Sequence, residues 1–114
     1  MYKTTHKEWS AAMLSVRDAL DVISGKWKLM IMISISSGNF RFREIERSIP
    51  KITSKVLAKE LKDLEEHHLI KRTVYDNIPV VIEYTITAYA KTLRPVVKEL
   101  SDWGAKHRKK ITGK

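Results

Sequence analysis

The segment from Thr53 to Glu66 constrains the fold most, because its leucines and lysines fall on opposite sides of a helix. At 100° per residue the three leucines cluster on one side and the three lysines nearly opposite. The two sets are Leu57, Leu61, Leu64 and Lys55, Lys59, Lys62. The leucine seam would hold the helix against a core. The lysine face is either an ordinary solvated surface or one that meets an anionic partner.

The flanking sequence favours the second interpretation. A short helix from Phe42 to Ser48 precedes Pro50, which pushes the residue before it out of the helical region. Thr53 can then cap the next helix. Two runs rich in β-branched and aromatic residues follow, 69–75 and 80–86, separated by a turn that contains Asn77 and Pro79. Helix, turn, helix and hairpin in this order predict an α+β, mainly α, winged helix-turn-helix, with the hairpin 69–86 as the wing.

Further helices flank this unit. A first helix is expected to begin near Ser10, with apolar residues at helical spacing up to Ile23. The segment from Lys26 to Ser36 is apolar almost all round, which is typical of a central buried helix. Thr87 is expected to cap a last helical region, which Pro95 should kink or divide near residues 91–93.

Length and charge agree with this architecture. The chain has 114 residues, enough for one domain over residues 1–114 with a core of about 10–105. We expect the basic tail 106–114 to be a loose chain end rather than a phosphate-seeking extension. Net charge is +9, and residues 41–62 carry seven bases against three acids. That excess favours an anionic partner such as nucleic acid.

The same composition excludes other classes. There is no cysteine, which removes disulfides, thiolate nucleophiles and zinc–thiolate sites from these 114 residues. No secretory signal is evident, and the run from Leu29 to Ile35 is too short to span a bilayer, so we expect a cytoplasmic protein with no membrane partner. No nucleophile elbow or phosphate-binding glycine loop is present, which argues against an enzyme, and we expect no cofactor.

Geometry assigns the expected contacts with double-stranded DNA. The recognition helix presents its first turns and its lysine face to base edges or phosphates, while Thr53 caps first and binds phosphate second. Basic residues before the helix should flank the groove, and the wing tip should touch the backbone or the minor groove. The expected DNA-binding residues are Arg41, Arg43, Lys51, Thr53, Ser54, Lys55, Ala58, Lys59, Lys62 and Asn77. Of Lys71 and Arg72, which alternate across a strand, at most one faces DNA.

The first and last helices each carry an apolar stripe that a domain of this size cannot easily bury. Pairing two copies about a two-fold axis is the simplest solution. The expected interface residues are Met13, Val16, Leu20, Val97, Leu100 and Trp103. The recognition helices of such a homodimer would lie about 34 Å apart on a pseudo-palindromic operator.

Several short motifs together resemble the HxlR-type winged helix-turn-helix regulators, relatives of the MarR group, over roughly residues 14–105. The motifs lie at residues 19–27, 42–45, 49–50, 54–57, 61–65, 69–72, 81–87, 93–96 and 103–104. The resemblance implies a homodimeric transcription regulator of bacteria or archaea, with terminal helices that pair the subunits and a fourth helix in the major groove. Two departures are evident. The cysteine of oxidant-sensing members is absent, and His68 stands where the family usually has glycine.

Three alternatives remain open. The hairpin or the basic face of such a domain could bind an acidic protein partner instead of DNA. Trp9, Trp27 and Trp103 could line a pocket between subunits for a small-molecule effector, although such aromatic residues are more often core or interface. His67 and His68 are adjacent and point about 100° apart on a helix, so they cannot readily share a cation, and we expect no metal site.

Overall fold

The structure, a computed structural model, describes residues 5–114 and has the predicted architecture of a winged helix-turn-helix, mainly α with one two-stranded hairpin. Its elements follow the chain as α1 (His6–Ile23), α2 (Lys28–Ser36), α3 (Phe42–Ser48), α4 (Ser54–Glu66), β1 (Ile70–Tyr75), β2 (Val81–Ile86), a 3-10 helix (Tyr89–Leu93) and α5 (Arg94–Thr112). The bounds of α3 and α4 agree with those predicted from the sequence.

The core forms around α2, as its nearly continuous apolar sequence predicted. Side chains of α2, α3 and α4 interlock there with the start of the hairpin. The largest side chains that are fully buried are Ile31, Ile35, Ile45, Leu57, Leu61, Leu64 and Leu69. Because three of these are the leucines of α4, the seam of that helix faces the core and its opposite side faces solvent.

The hairpin is held against the helices at its base. Strands β1 and β2 pair antiparallel, with Ile70 opposite Ile86 and Tyr75 opposite Val81. The backbone N–H of Tyr84 donates to the carbonyl of Phe40 at 2.7 Å, which joins β2 to the segment that enters α3. The wing therefore has a fixed position beside the helix-turn-helix.

The turn from α4 into β1 closes without a glycine. The N–H of His68 donates to the carbonyl of Glu65, and that of Leu69 donates to the carbonyl of Leu64, both at 3.0 Å. This pair of bonds is a Schellman motif, which requires a left-handed residue after the helix end. His68 supplies it with a φ of 61°. The departure from the family's usual glycine therefore strains one residue without altering the turn.

The start of α1 differs from the prediction. The helix begins at His6 instead of near Ser10, because Thr5 and Glu8 form a capping box. The N–H of Glu8 donates to Thr5 Oγ1 at 3.2 Å, and the N–H of Thr5 donates to Glu8 Oε2 at 3.1 Å. These two bonds satisfy the backbone N–H groups of Thr5 and Glu8 at the start of the helix. The helix is therefore about one turn longer than a helix that begins near Ser10.

The end of the chain also differs from the prediction. Thr87 Oγ1 accepts the N–H of Ala90 at 3.1 Å, and the helical region divides before Arg94 as expected from Pro95, which occupies the first turn of α5. From there α5 continues to Thr112, so the basic tail that we expected to be loose is helical over 106–112. Helix-forming lysines and the left-handed Gly113 at its end explain this extension.

Candidate nucleic-acid interface

The turn between α3 and α4 sets the direction of the recognition helix. Ile49 and Ile52 on either side of the turn are buried, while Lys51 between them is exposed and left-handed, with a φ of 68°. Thr53 then caps α4, since its Oγ1 accepts the N–H of Val56 at 3.2 Å. Two buried isoleucines thus anchor the turn and leave the Lys51 ammonium in solvent at the N-terminal end of α4.

The exposed side of α4 contains the residues predicted to meet DNA. Lys55, Ala58, Lys59 and Lys62 are all exposed, opposite the buried leucine seam. Neither Lys55 nor Lys62 forms an ion pair within residues 5–114. These ammonium groups are available to an anionic partner without the loss of an internal contact.

Lys59 differs from its neighbours because it already has acidic partners. Its Nζ lies 3.2 Å from Asp63 Oδ2 and 3.5 Å from Glu60 Oε1. The hydrogen bond to Asp63 is the main cause that raises the pKa of Lys59 above its ordinary value. The same bond lowers the pKa of Asp63. A phosphate that takes Lys59 away from this pair would therefore have to displace a carboxylate.

The other predicted contacts near α3 are also partnered. Arg41 Nε lies 4.0 Å from Glu83 Oε2 on the wing, and Arg43 lies 3.6 Å from Glu46 Oε1. The hydroxyl of Ser54 donates to Glu46. Both arginine side chains are largely exposed, with about 57% and 81% of their surface in solvent. Exposed pairs of this kind are weak and exchange readily for phosphate.

The sequence-based prediction missed a buried ion pair that positions α4. Lys28 Nζ of α2 donates to both carboxylate oxygens of Glu60, at 3.2 and 3.0 Å, and lies 3.6 Å from Asp63 Oδ2. Only 12% of the Lys28 side chain and 9% of the Glu60 side chain are exposed. Two features of the sequence could have indicated this pair. Lys28 lies in an otherwise apolar helix, and Glu60 lies toward the leucine side of α4.

The wing places one basic side chain beside the exposed lysine face of α4. Arg72 of β1 lines a groove of about 300 Å³ together with Ala58 and Lys62, whereas Lys71 does not line it. Arg72 is therefore the member of the alternating pair that shares a surface with the recognition helix. Asn77 is exposed at the tip, where the neighbouring Ile78 is fully exposed and residues 73–82 contain no base.

The residues predicted for a dimer interface lie on the terminal helices and remain mostly exposed in the single chain. Helix α1 buries only Ile23, and α5 buries no residue. The exposed apolar residues on these helices include Met13, Val16, Leu20, Val96, Leu100, Trp103 and Ile111, while Val97 is half-buried. The ring of Trp103 stacks on His107 with centroids 4.9 Å apart.

The three tryptophans do not converge within the described chain. Trp9 lines a shallow groove along α1, Trp27 packs against the core, and Trp103 stacks on His107. A cavity of about 490 Å³ lies elsewhere, between α2 and the start of α5, and its lining includes Met32 and Arg94. A pocket formed by tryptophans of two subunits stays a prediction.

Two other kinds of site are absent from residues 5–114. No helix in this part of the chain is both long and apolar enough to cross a membrane. No group of three or more His, Cys, Asp or Glu side chains in the same part lies close enough together to hold a metal ion. His67 instead places Nδ1 2.8 Å from the backbone carbonyl of Asp63.

Comparison with known proteins gives a consistent result. A family model described as HxlR-like helix-turn-helix matches residues 22–112. YdeP of Bacillus subtilis, an uncharacterized HTH-type transcriptional regulator, is 38% identical over 96 residues, which cover 84% of this chain and 75% of YdeP. An HTH-type transcriptional regulator of Methanothermobacter thermautotrophicus is 41% identical over 90 residues, which cover 79% of this chain and 69% of that protein.

Solved structures show the same similarity in three dimensions. The redox regulator HypR in its reduced form superposes with a TM-score of 0.80 at 35% identity, covering 88% of this chain and 99% of that chain. The reduced form of the transcriptional regulator YodB from B. subtilis gives a TM-score of 0.70 at 32% identity, covering 78% of this chain and 87% of that chain.

Proposed function

The chain belongs to the HxlR-like helix-turn-helix family of transcriptional regulators, and we propose that it acts as a homodimer that binds a pseudo-palindromic DNA operator through α4. One observation carries this proposal. The lysine face of α4 is exposed, and two of its lysines are unpaired within residues 5–114, while the leucines on the opposite side are buried in the core.

The proposed contacts follow from the geometry of this face. Lys55 lies in the first turn of α4, where a helix in the major groove reaches base edges. Lys62, farther along the same face, and Arg72 beside it would approach the phosphates of one strand. Lys51, Arg41 and Arg43 would contact backbone on either side of the groove. The wing tip with Asn77 would approach the minor groove or its backbone.

The terminal helices support a two-fold dimer. In α1 the apolar residues Trp9, Met13, Val16 and Leu20 follow one another at intervals of four, three and four, the spacing of a coiled-coil seam. In α5 the apolar residues Val96, Leu100 and Trp103 follow one another at intervals of four and three. Leaving both stripes in water would forgo about 25 cal/mol for each Å² of apolar surface. We propose that the stripes of two copies pack together and set the distance between the two copies of α4.

Redox sensing through a thiol does not extend to these residues. HypR is a redox regulator by the description of its structure, but the present chain contains no cysteine. Any signal sensed by these 114 residues themselves would therefore use other chemistry.

A selection from a random DNA library with purified protein tests the proposal. We expect enrichment of an inverted repeat whose half-sites lie about one helical turn apart. Changing Lys55 and Lys59 to alanine should abolish specific retention while the dimer persists. A matched control changes Lys106 and Lys109 of α5 to alanine, which removes the same charge away from α4 and should leave the enriched sequence unchanged.

The second candidate is a winged helix whose basic face binds an acidic protein. The observation in its favour is the exposed cationic face of α4, because such a face also attracts carboxylates. An identical DNA profile for the Lys55 and Lys59 variant and the native protein would favour this alternative over operator binding.

A further inference from the structure

A cluster of four charged side chains joins α2 to α4 and includes one of the lysines proposed to meet DNA. Lys59 Nζ lies 3.2 Å from Asp63 Oδ2 and 3.5 Å from Glu60 Oε1. Lys28 Nζ lies 3.0 Å from Glu60 Oε2 and 3.6 Å from Asp63 Oδ2. Each lysine therefore contacts both carboxylates, and the cluster has no net charge.

The four members differ in burial, which divides the cluster into a fixed part and an exchangeable part. The Lys28 and Glu60 side chains are 12% and 9% exposed, whereas that of Lys59 is 72% exposed and that of Asp63 is 32% exposed. When Lys59 turns outward, Asp63 keeps Lys28 as a neighbouring cation. Lys59 can thus leave the cluster without exposing an uncompensated buried charge.

We propose that Asp63 withholds Lys59 from the phosphates of nonspecific DNA and thereby raises the ratio of operator affinity to nonspecific affinity. This inference rests on the proposed operator binding. On an arbitrary sequence, a phosphate that recruits Lys59 must displace a carboxylate and approach a second negative charge. On the operator, a seated α4 would let Lys59 donate one N–H to a base edge while its other N–H groups stay with Asp63. No carboxylate is then displaced, so the penalty falls on wrong sequences.

The electrostatics of the free protein agree with this assignment. The hydrogen bond from Lys59 is the largest cause of the lowered pKa of Asp63, and it exceeds the contribution of Lys28. Lys59, not Lys28, is therefore the main partner of Asp63 before DNA arrives. A matched acid is available for comparison, because Glu66 on the same helix is exposed and forms no ion pair within residues 5–114.

The test compares Asp63→Asn with Glu66→Gln on the selected operator and on a scrambled duplex of equal length. Exposed ion pairs contribute only modestly, so Asp63→Asn should lower the ratio of the two affinities about threefold, mainly by tightening binding to the scrambled duplex. Glu66→Gln removes the same charge and should tighten both complexes equally. A ratio that stays at the native value in Asp63→Asn would overturn the inference.

Repeating the Asp63→Asn change in a Lys59→Met variant tests whether Asp63 acts through Lys59 or only through its own negative charge. In Lys59→Met the change Asp63→Asn should no longer alter the ratio. An equal fall in both backgrounds would overturn the inference, because Asp63 would then act only through its charge.

A measurement without DNA keeps the test independent of operator binding. By NMR, the pKa of Asp63 in the native protein should rise toward its ordinary value in Lys59→Met, and an unchanged pKa would overturn the inference. If the native protein preferred no duplex at all, operator binding itself would fail and the inference with it. An intact operator preference with an unchanged ratio would overturn the inference alone.

Discussion

At the scale of single residues, His68 shows that a strained backbone conformation can persist without a change in the fold. Its left-handed backbone closes the Schellman motif at the end of α4, and Leu64 and Leu69, which the motif brings together, are both buried. A side chain with Cβ pays about 1–2 kcal/mol for this conformation. The buried leucines hold the turn in place against that strain.

We therefore predict that His68→Gly stabilises the protein. Relief of the left-handed strain exceeds the extra entropy that glycine loses on folding, so the free energy of unfolding should rise by about 0.5–1 kcal/mol. Urea unfolding would measure the change. The control is His67→Gly, because His67 has an ordinary φ of −87°. That variant should be less stable than the native protein, and an equal gain from both changes would contradict the prediction.

The pair of Lys59 and Asp63 predicts a defined pH dependence of stability. The folded-state pKa of Asp63 lies below its ordinary 3.8, so the unfolded chain binds the proton more readily. The contribution of this carboxylate to the free energy of unfolding is then present above about pH 4. It is lost as the pH falls through the folded-state pKa. For Lys59, whose pKa is raised above 10.5, the contribution is lost only at higher pH.

The stability difference between the native protein and Asp63→Asn should therefore be constant from about pH 5 to 9 and shrink below pH 4. Thermal unfolding at a series of pH values would measure it. A difference that grows on acidification would contradict the assigned direction of the pKa.

At the scale of elements, amphipathic periodicity predicted α1, α4 and α5. The nearly continuous apolar sequence predicted α2, and β-branched and aromatic composition predicted both strands. The misplaced boundaries have local causes. The start of α1 depended on recognising Thr5 and Glu8 as a capping box rather than Ser10 as the cap. The charge of residues 106–112 suggested a loose end, although lysine and arginine are good helix formers.

The ion pair between Lys28 and Glu60 could not be predicted, because 32 residues separate its members in the chain. Periodicity places each residue on one face of its own helix but does not indicate which faces meet. The pair of Lys59 and Asp63, by contrast, is spaced i, i+4 on one helix, so its members lie within reach of each other by sequence alone. The sequence predicted the exposed face of α4, but not which of its lysines are engaged.

We predict that Lys28→Met destabilises the junction of α2 and α4. It leaves Glu60 nearly buried with only the weaker Lys59 contact, which should cost about 2–3 kcal/mol. Replacing both members, Lys28→Met with Glu60→Leu, should recover most of that loss, because apolar groups of similar volume can replace a buried pair. Urea midpoints of the two variants provide the measurement. A double variant no more stable than Lys28→Met would contradict the proposed pairing.

At the scale of the whole molecule, an extent of 60 Å along its longest axis reflects terminal helices that project from the core. Val16 of α1 is 57% exposed and Leu100 of α5 is 50% exposed. Neither side chain contributes to the buried core of its own chain, so a charge at either position should leave the fold of one subunit intact. In a two-fold dimer, however, both subunits would place that charge in the interface.

Val16→Lys and Leu100→Lys should therefore convert the proposed dimer into folded monomers. Burying an ammonium in each half of an apolar interface costs at least about 3 kcal/mol in total, which raises the dimer Kd 100-fold or more. Ala11→Lys is the control, because Ala11 is exposed on the opposite side of α1 from Val16. Sedimentation velocity measures the assembly state, and circular dichroism verifies the fold. Operator affinity should fall with the dimer, since one α4 alone reads only half of the site. Intact dimers in both Val16→Lys and Leu100→Lys would contradict pairing through α1 and α5.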